Sequence, residues 1–197
     1  MDEKGIIKFD CRWTKTEIKK FSGFNEINDC RNKLHELNFI GVYDNGIGFG
    51  NISVKNSEGL FITGSVTGHI EKTDIRHYSK VTGYNIRENR IDCSGPSKAS
   101  SETLSHAALY ELSESIGAII HIHNKHLWQK LINTVPTTLP KVEYGTPEMA
   151  IEIRRLYRET TLPKVKILVM AGHEEGIICF GETIVEAMEV LLTMNRN

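Results

Sequence analysis

The strongest constraint on this fold is a pair of strand-like runs joined by a short connection. Asn51-Ile52-Ser53-Val54 and Leu60-Phe61-Ile62-Thr63 flank a turn at residues 56–59 and read as a β-hairpin. A hairpin sets neighbouring strands antiparallel, which argues against a purely parallel, doubly wound sheet. After Gly117, the apolar run Ala118-Ile119-Ile120 predicts a buried strand that continues into His121-Ile122-His123. Residues 165–171 and Ile177-Ile178-Cys179-Phe180 predict a further hairpin about a turn at 172–176, and residues 81–93 predict short strands.

Helical periodicity fills the intervals. Ile27, Cys30, Leu34, Leu37 and Phe39 fall near a 3.6-residue repeat from Asn25, with Gly41 as the expected stop. Ser100-Ser101-Glu102 predicts a helix start, with Leu104, Ala107, Ala108, Tyr110 and Leu112 following to about residue 114. Thr146-Pro147-Glu148 combines a threonine cap, proline in the first turn and an acid near the positive helix end, so a helix is expected to about residue 160. A closing helix is expected over 183–194. The sum is an α/β fold: a mainly antiparallel central sheet in a three-layer α/β/α arrangement. Residues 1–24, with Ile6, Ile7 and Phe9, are expected to form an arm or an edge strand, and 25–197 a single domain.

Composition narrows the function classes. The 197 residues are 40% hydrophobic and 25% charged, which excludes a disordered or fibrous chain. A formal net charge of −1, without a run of five basic residues, predicts no nucleic-acid or anionic-membrane partner. The apolar stretch 167–171 is too short to cross a bilayer. Met1-Asp2-Glu3-Lys4 carries acid and no apolar core, so no signal peptide is expected. Cys11, Cys30, Cys93 and Cys179 are scattered without a Cys-x-x-Cys pair, which fits reduced thiols and a cytoplasmic setting.

Three features could carry chemistry. Gly46-Ile47-Gly48-Phe49-Gly50-Asn51 imitates a dinucleotide loop, but Asn51 stands where the third glycine belongs and a strand follows instead of a helix. The plainer reading is a glycine turn that lets backbone approach closely, with Asn51 able to help hold an anion. His121 and His123 are two apart on a strand, so both side chains leave one face, as paired metal ligands do. His173, in Ala171-Gly172-His173, ends another strand, and Gly172 suggests a tight approach there. Either histidine motif alone also fits a structural or surface residue. Ser100-Ser101-Glu102 is read first as a cap, worth roughly 1 kcal/mol. The same geometry can seat a phosphate on free N–H groups, with Lys98 as a nearby cation. His106, one turn on, would face the same cleft.

Together these residues resemble the class II aldolase/adducin family. The resemblance lies in Ser100-Ser101-Glu102, a helix, then Ile120-His121-Ile122-His123 at 19 residues from Glu102 to His121, and Gly172-His173. Gly50-Asn51-Ile52-Ser53-Val54, Tyr144-Gly145-Thr146-Pro147-Glu148 and Phe180-Gly181-Glu182-Thr183 extend it across about residues 25–197. It implies a metal site of His121, His123 and His173, zinc first, with Mn²⁺, Co²⁺ or Fe²⁺ as other occupants. Glu102 would be the acid/base and, in some states, a fourth ligand. Asn51, Thr67, Gly68, Ser100 and Ser101 would hold the phosphate of a small sugar phosphate. The implied activity is aldol cleavage of a ketose phosphate through an enediolate. Dehydration or epimerisation of a pentulose phosphate on the same metal is the alternative, and a non-catalytic adducin-like interaction module the rival from another class. The implied assembly is a homotetramer with four-fold symmetry. The loop Gly64-Ser65-Val66-Thr67-Gly68 departs from the family's Thr-Pro-Thr-Gly. His173 follows His123 by only 50 positions, and neither Tyr144 nor Tyr157 sits in a matching tyrosine motif.

Overall fold

The computed structural model describes residues 9–196. In chain order its elements are β1 (Asp10–Lys15), α1 (Phe24–Glu36), β2 (Gly41–Val42), β3 (Gly48–Phe49), β4 (Asn51–Asn56) and β5 (Gly59–Thr63). There follow β6 (Tyr78–Asn85), β7 (Arg90–Gly95), α2 (Thr103–Tyr110), β8 (Ala118–His123) and α3 (Lys125–Leu131). The chain closes with α4 (Pro147–Glu159), α5 (Leu162–Val165), β9 (Ile167–Val169), β10 (Gly176–Gly181) and α6 (Ile184–Arg196).

An 8-stranded sheet runs in the order β1-β7-β6-β5-β4-β8-β10-β9. Every neighbouring pair is antiparallel except β1 with β7, which is parallel. The expected antiparallel three-layer fold is what the chain forms. One apolar layer joins the sheet to α2 and α4 through Leu104, Ala108, Met149 and Ile153. The other joins it to α1, α3 and α6 through Ile27, Leu34, Leu127 and Leu191. Along β8 the two-residue period of a strand divides the side chains: Ile119 faces the first layer, Ile120 and Ile122 the second. His121 and His123 therefore continue the face that Ile119 begins.

Several boundaries differ from expectation. Helix α1 ends at Glu36, because Asn38 takes a left-handed φ of 56° and turns the chain, while Gly41 is already in a strand. Helix α2 starts at Thr103 and stops at Tyr110, four residues short of the expected end. Residues 165–171 give only the short β9, because Leu162–Val165 forms a helical turn ended by Lys166 at φ 55°. Residues 81–93, expected as short strands, lie within a full hairpin of β6 and β7. The expectation for Ile6 and Ile7 lies outside the described residues. At the sheet edge, the free thiols of Cys11 and Cys93 come within 3.6 Å. Among the described residues, no helix is long and apolar enough to cross a membrane.

Candidate metal centre

The three predicted histidines converge. Among the described residues, His121, His123 and His173 offer ligand atoms that all lie within 4.8 Å of one another. Two of them come from β8, whose register is locked on both sides: His121 lies opposite Asn51 of β4 and Ile178 of β10, and His123 opposite Gly176. His173 comes from the turn that joins β9 to β10. Its neighbour Gly172 packs against backbone, and a Cβ there would sit 1.9 Å from the Val142 carbonyl oxygen. Gly50, at φ 73°, does the same for the other wall. A Cβ there would meet the carbonyl oxygens of Phe39 at 3.0 Å and His121 at 3.1 Å. The glycine run is thus the turn that presses the hairpin of β2 and β3 onto β8, and not a dinucleotide loop.

Burial sets the protonation of the imidazoles. His121 is held well below the ordinary histidine range by burial and by the neighbouring His123, His173 and His106. Burial lowers His123 to about 4, and burial with His123 lowers His173 well below the ordinary range. All three are neutral near pH 7, the form that binds metal. The buried Nε2 of His121 and Nδ1 of His173 have no hydrogen-bond partner. Orphaned nitrogens in a group of neutral imidazoles are costly unless something accepts their lone pairs. A borderline divalent cation does, so this donor set fits zinc or a related transition metal.

The His123 ring is fixed by contacts that the sequence did not reveal. The Tyr43 hydroxyl lies 2.8 Å from His123 Nδ1 and donates to Glu175 Oε2 at 2.7 Å. Burial and Glu175 hold the phenol well above its ordinary range, so it stays protonated. Phe49 packs 4.5 Å from the Tyr43 ring and 5.5 Å from the His123 ring. Tyr144 stacks on His173 at 4.0 Å and 17°, yet stays exposed. The Asn51 amide lies 3.3 Å from His121 Nδ1, and its Oδ1 is buried without a partner.

Glu102 is 3% exposed at the start of α2, and its Oε1 has no partner. Burial pushes its carboxyl up to about 7, opposed by the Ser105 hydroxyl, which donates to Oε2 at 3.2 Å. The helix cap differs from expectation. Glu102 itself is the cap residue, without a side-chain cap bond, while Ser100 Oγ accepts the Glu102 N–H at 3.3 Å. Ser101 O is 4.0 Å from where a Cβ on Gly145 would lie, so the start of α2 adjoins the Tyr144–Gly145 segment over His173. His106, fully buried and lowered to about 3, bonds Ser53 Oγ at 2.7 Å, and Ser53 bonds Tyr110 at 2.8 Å. No bond from His106 to the triad is seen.

The predicted anion residues fall into two groups. Ser65 N donates to the Lys98 carbonyl and Ser65 Oγ to that of Ala99, pinning loop 64–68 beside Ser100. The Thr67 hydroxyl is spent on the Gly64 carbonyl at 2.8 Å. Lys98 is turned away, with its ammonium 5.7 Å over the Phe9 ring. Behind the loop lies Arg31, fully buried. Its guanidinium donates to the carbonyls of Thr67 at 2.7 Å, Gly68 at 3.5 Å, Glu71 at 3.2 Å and Ile70. The signal for Arg31 was present: it sits on the Ile27-Arg31-Leu34 stripe, the buried face of α1.

Residues 43–197 match the profile of the family described as Class II Aldolase and Adducin N-terminal domain. An L-fuculose phosphate aldolase of Methanococcus maripaludis is 29% identical over 154 residues, spanning 70% of this chain and 75% of the relative. Among solved structures, one L-fuculose 1-phosphate aldolase superposes with a TM-score of 0.68 at 20% identity, covering 90% of this chain and 84% of that one. The L-fuculose-1-phosphate aldolase of Thermus thermophilus gives 0.59 at 19% identity, covering 85% and 83%. At these identities the solved structures show the shared fold.

Proposed function

This chain belongs to the class II aldolase and adducin family, and on that premise we propose that it is a metal-dependent sugar-phosphate aldolase. The observation that carries the reading is the convergence of three neutral imidazoles, His121 and His123 buried and His173 partly so, with orphaned ring nitrogens on His121 and His173. His121, His123 and His173 would hold the ion, zinc first, since three imidazoles with an open position suit it. A zinc ion bound there would polarise the carbonyl and hydroxyl oxygens of a ketose phosphate as a Lewis acid.

The chain's own residues supply the rest. Asn51, Ser100, Ser101 and the loop that carries Thr67 and Gly68, with the Thr67 hydroxyl itself held by Gly64, would seat the phosphate, which fixes the substrate's remote end and aligns its reacting carbons. Glu102 moves the proton. In cleavage, the Glu102 carboxylate would take the proton of the substrate hydroxyl, the C–C bond breaks to leave an aldehyde, and the electron pair stays on the carbon beside the carbonyl. That carbon then takes the same proton back from Glu102. Burial raises this carboxyl to about 7 in the metal-free chain, and a carboxyl placed there could both take and give a proton. The reading carries with it a homotetramer and a cytoplasmic setting, the former checked by light scattering at micromolar concentration.

The test is hydrogen exchange at the reacting carbon. Dihydroxyacetone phosphate in deuterated water should exchange a carbon-bound hydrogen with zinc-loaded protein. Glu102→Gln should keep the fold and the metal but slow exchange about 10²–10⁴-fold. Equal exchange by both proteins would remove Glu102 from the reaction. No exchange by the zinc-loaded parent would reject aldol chemistry in favour of dehydration, epimerisation or a scaffold.

A further inference from the structure

Two side chains beside the triad are still without a role: Tyr43, which touches His123, and Glu175, which touches Tyr43. Tyr43 stands on the turn of the β2–β3 hairpin, and Glu175 in the turn between His173 and β10. The phenol has one hydrogen, and it is given to the Glu175 carboxylate at 2.7 Å. Towards His123 Nδ1, at 2.8 Å, the same oxygen can therefore only accept. The proton must sit on Nδ1, which leaves Nε2 as the free lone pair.

The backbone shows that this contact is held under constraint. Glu175 is a non-glycine residue at φ 70°, in the left-handed region that glycine would occupy without cost. Its carbonyl accepts the Asn124 N–H at 3.0 Å, which ties the turn to the end of β8. Phe49 packs on the Tyr43 ring from the other side.

We propose that Tyr43 and Glu175 are positioning residues, a carboxylate–phenol–imidazole relay that fixes the tautomer and ring orientation of His123 so that Nε2 faces the metal. The inference rests on the metal reading of the triad for its purpose, but the relay itself is a property of the metal-free chain. Outer partners of this kind orient the ligand and raise its basicity, and their loss typically weakens metal binding 10–100-fold.

The experiment has two readouts on the full chain. Nitrogen-15 histidine NMR of metal-free protein, with the resonance assigned through His123→Gln, reports the tautomer. Zinc affinity is read by competition with a chromogenic chelator. The parent should show His123 protonated on Nδ1. Tyr43→Phe keeps the ring against Phe49, and should shift His123 toward the Nε2–H tautomer and weaken zinc about 10–100-fold. Glu175→Gln, whose amide oxygen still accepts from the phenol, should retain most of the affinity. Glu175→Gly is the discriminating variant. It relieves the left-handed strain, so its melting temperature should hold or rise while zinc affinity falls. If Tyr43→Phe and Glu175→Gly both keep the parent's affinity within twofold, the relay is overturned. If the parent binds no zinc, the metal reading fails. The tautomer then decides the relay, and an Nε2–H His123 in the parent overturns it.

Discussion

The two ends of the candidate site are built by different means. At the histidine end, two of the three imidazoles ride on β8, which is paired with β4 on one side and β10 on the other. Their spacing is a property of the ladder, because a one-residue slip would throw both to the opposite face. At the end proposed for the phosphate, loop 64–68 is shaped by contacts to residues 98–99 and by one guanidinium reaching up from α1. A strand end inherits its precision from backbone bonds. A loop has to be braced, and here the brace is a side chain more than thirty residues away in sequence. The two ends should therefore fail separately.

The largest effect is expected where the ladder puts its ligands. His121→Ala and His173→Ala should each lower zinc affinity roughly a thousandfold or more, since two imidazoles make a poor site. Metal analysis after dialysis should read one zinc per parent chain and next to none for either variant. His106→Gln serves as the contrast. It removes a buried histidine whose Nδ1 bonds Ser53 and which stands outside the ligand group, so metal content should stay at the parent's value. Full occupancy in His121→Ala and His173→Ala would separate the triad from metal binding altogether.

That contrast also marks what could be read from the sequence. The hairpin of β4 and β5, the strand β8 and the His-x-His pair on one face followed from side-chain alternation, and the three-layer fold followed from them. The Thr146 cap was equally legible, and its hydroxyl accepts the Met149 N–H at 3.3 Å. Other features were not legible, because nothing local encodes them. The stop of α1 at Asn38 and the left-handed Lys166 are single-residue backbone states that periodicity does not register. Tyr43 and Glu175 lie 132 positions apart and meet only because β8 and β10 pair. An arginine usually reads as solvated surface, so the position of Arg31 on an apolar stripe was the one clue to its burial.

The middle effect tests that brace. Arg31→Met keeps the volume on the α1 stripe but removes the guanidinium's bonds to the carbonyls of Thr67, Glu71 and Ile70. Losing these charge-assisted bonds together should cost about 3–5 kcal/mol, read as a lower urea midpoint. Phosphate protection against unfolding should be lost while zinc content stays at one per chain. If zinc and phosphate binding fell together, the two ends would be one cooperative unit and the comparison would be wrong.

The smallest effect is a difference in pH dependence, and its sign follows from burial. The Glu102 carboxyl sits at about 7 in the folded chain against an ordinary 4.5, because burial disfavours its charge. Below pH 4.5 it is protonated in both folded and unfolded chains and makes no difference. As pH rises past 4.5 the unfolded chain releases the proton while the folded chain keeps it, so stability falls until the folded carboxyl ionises at about 7. The buried histidines act the other way: held neutral in the fold, they cost stability as pH falls below their ordinary 6.5. A single pH curve mixes these slopes. The difference between metal-free parent and Glu102→Gln cancels the histidines, which both proteins share. The variant's stability relative to the parent should therefore rise between pH 4.5 and 8, by about 3 kcal/mol, and level off above that. Urea titrations of both proteins across this range measure it. A difference that stays flat would mean that Glu102 is ionised throughout, which a carboxylate already neutralised by a neighbouring cation would show. The proton-carrier role would then need another residue.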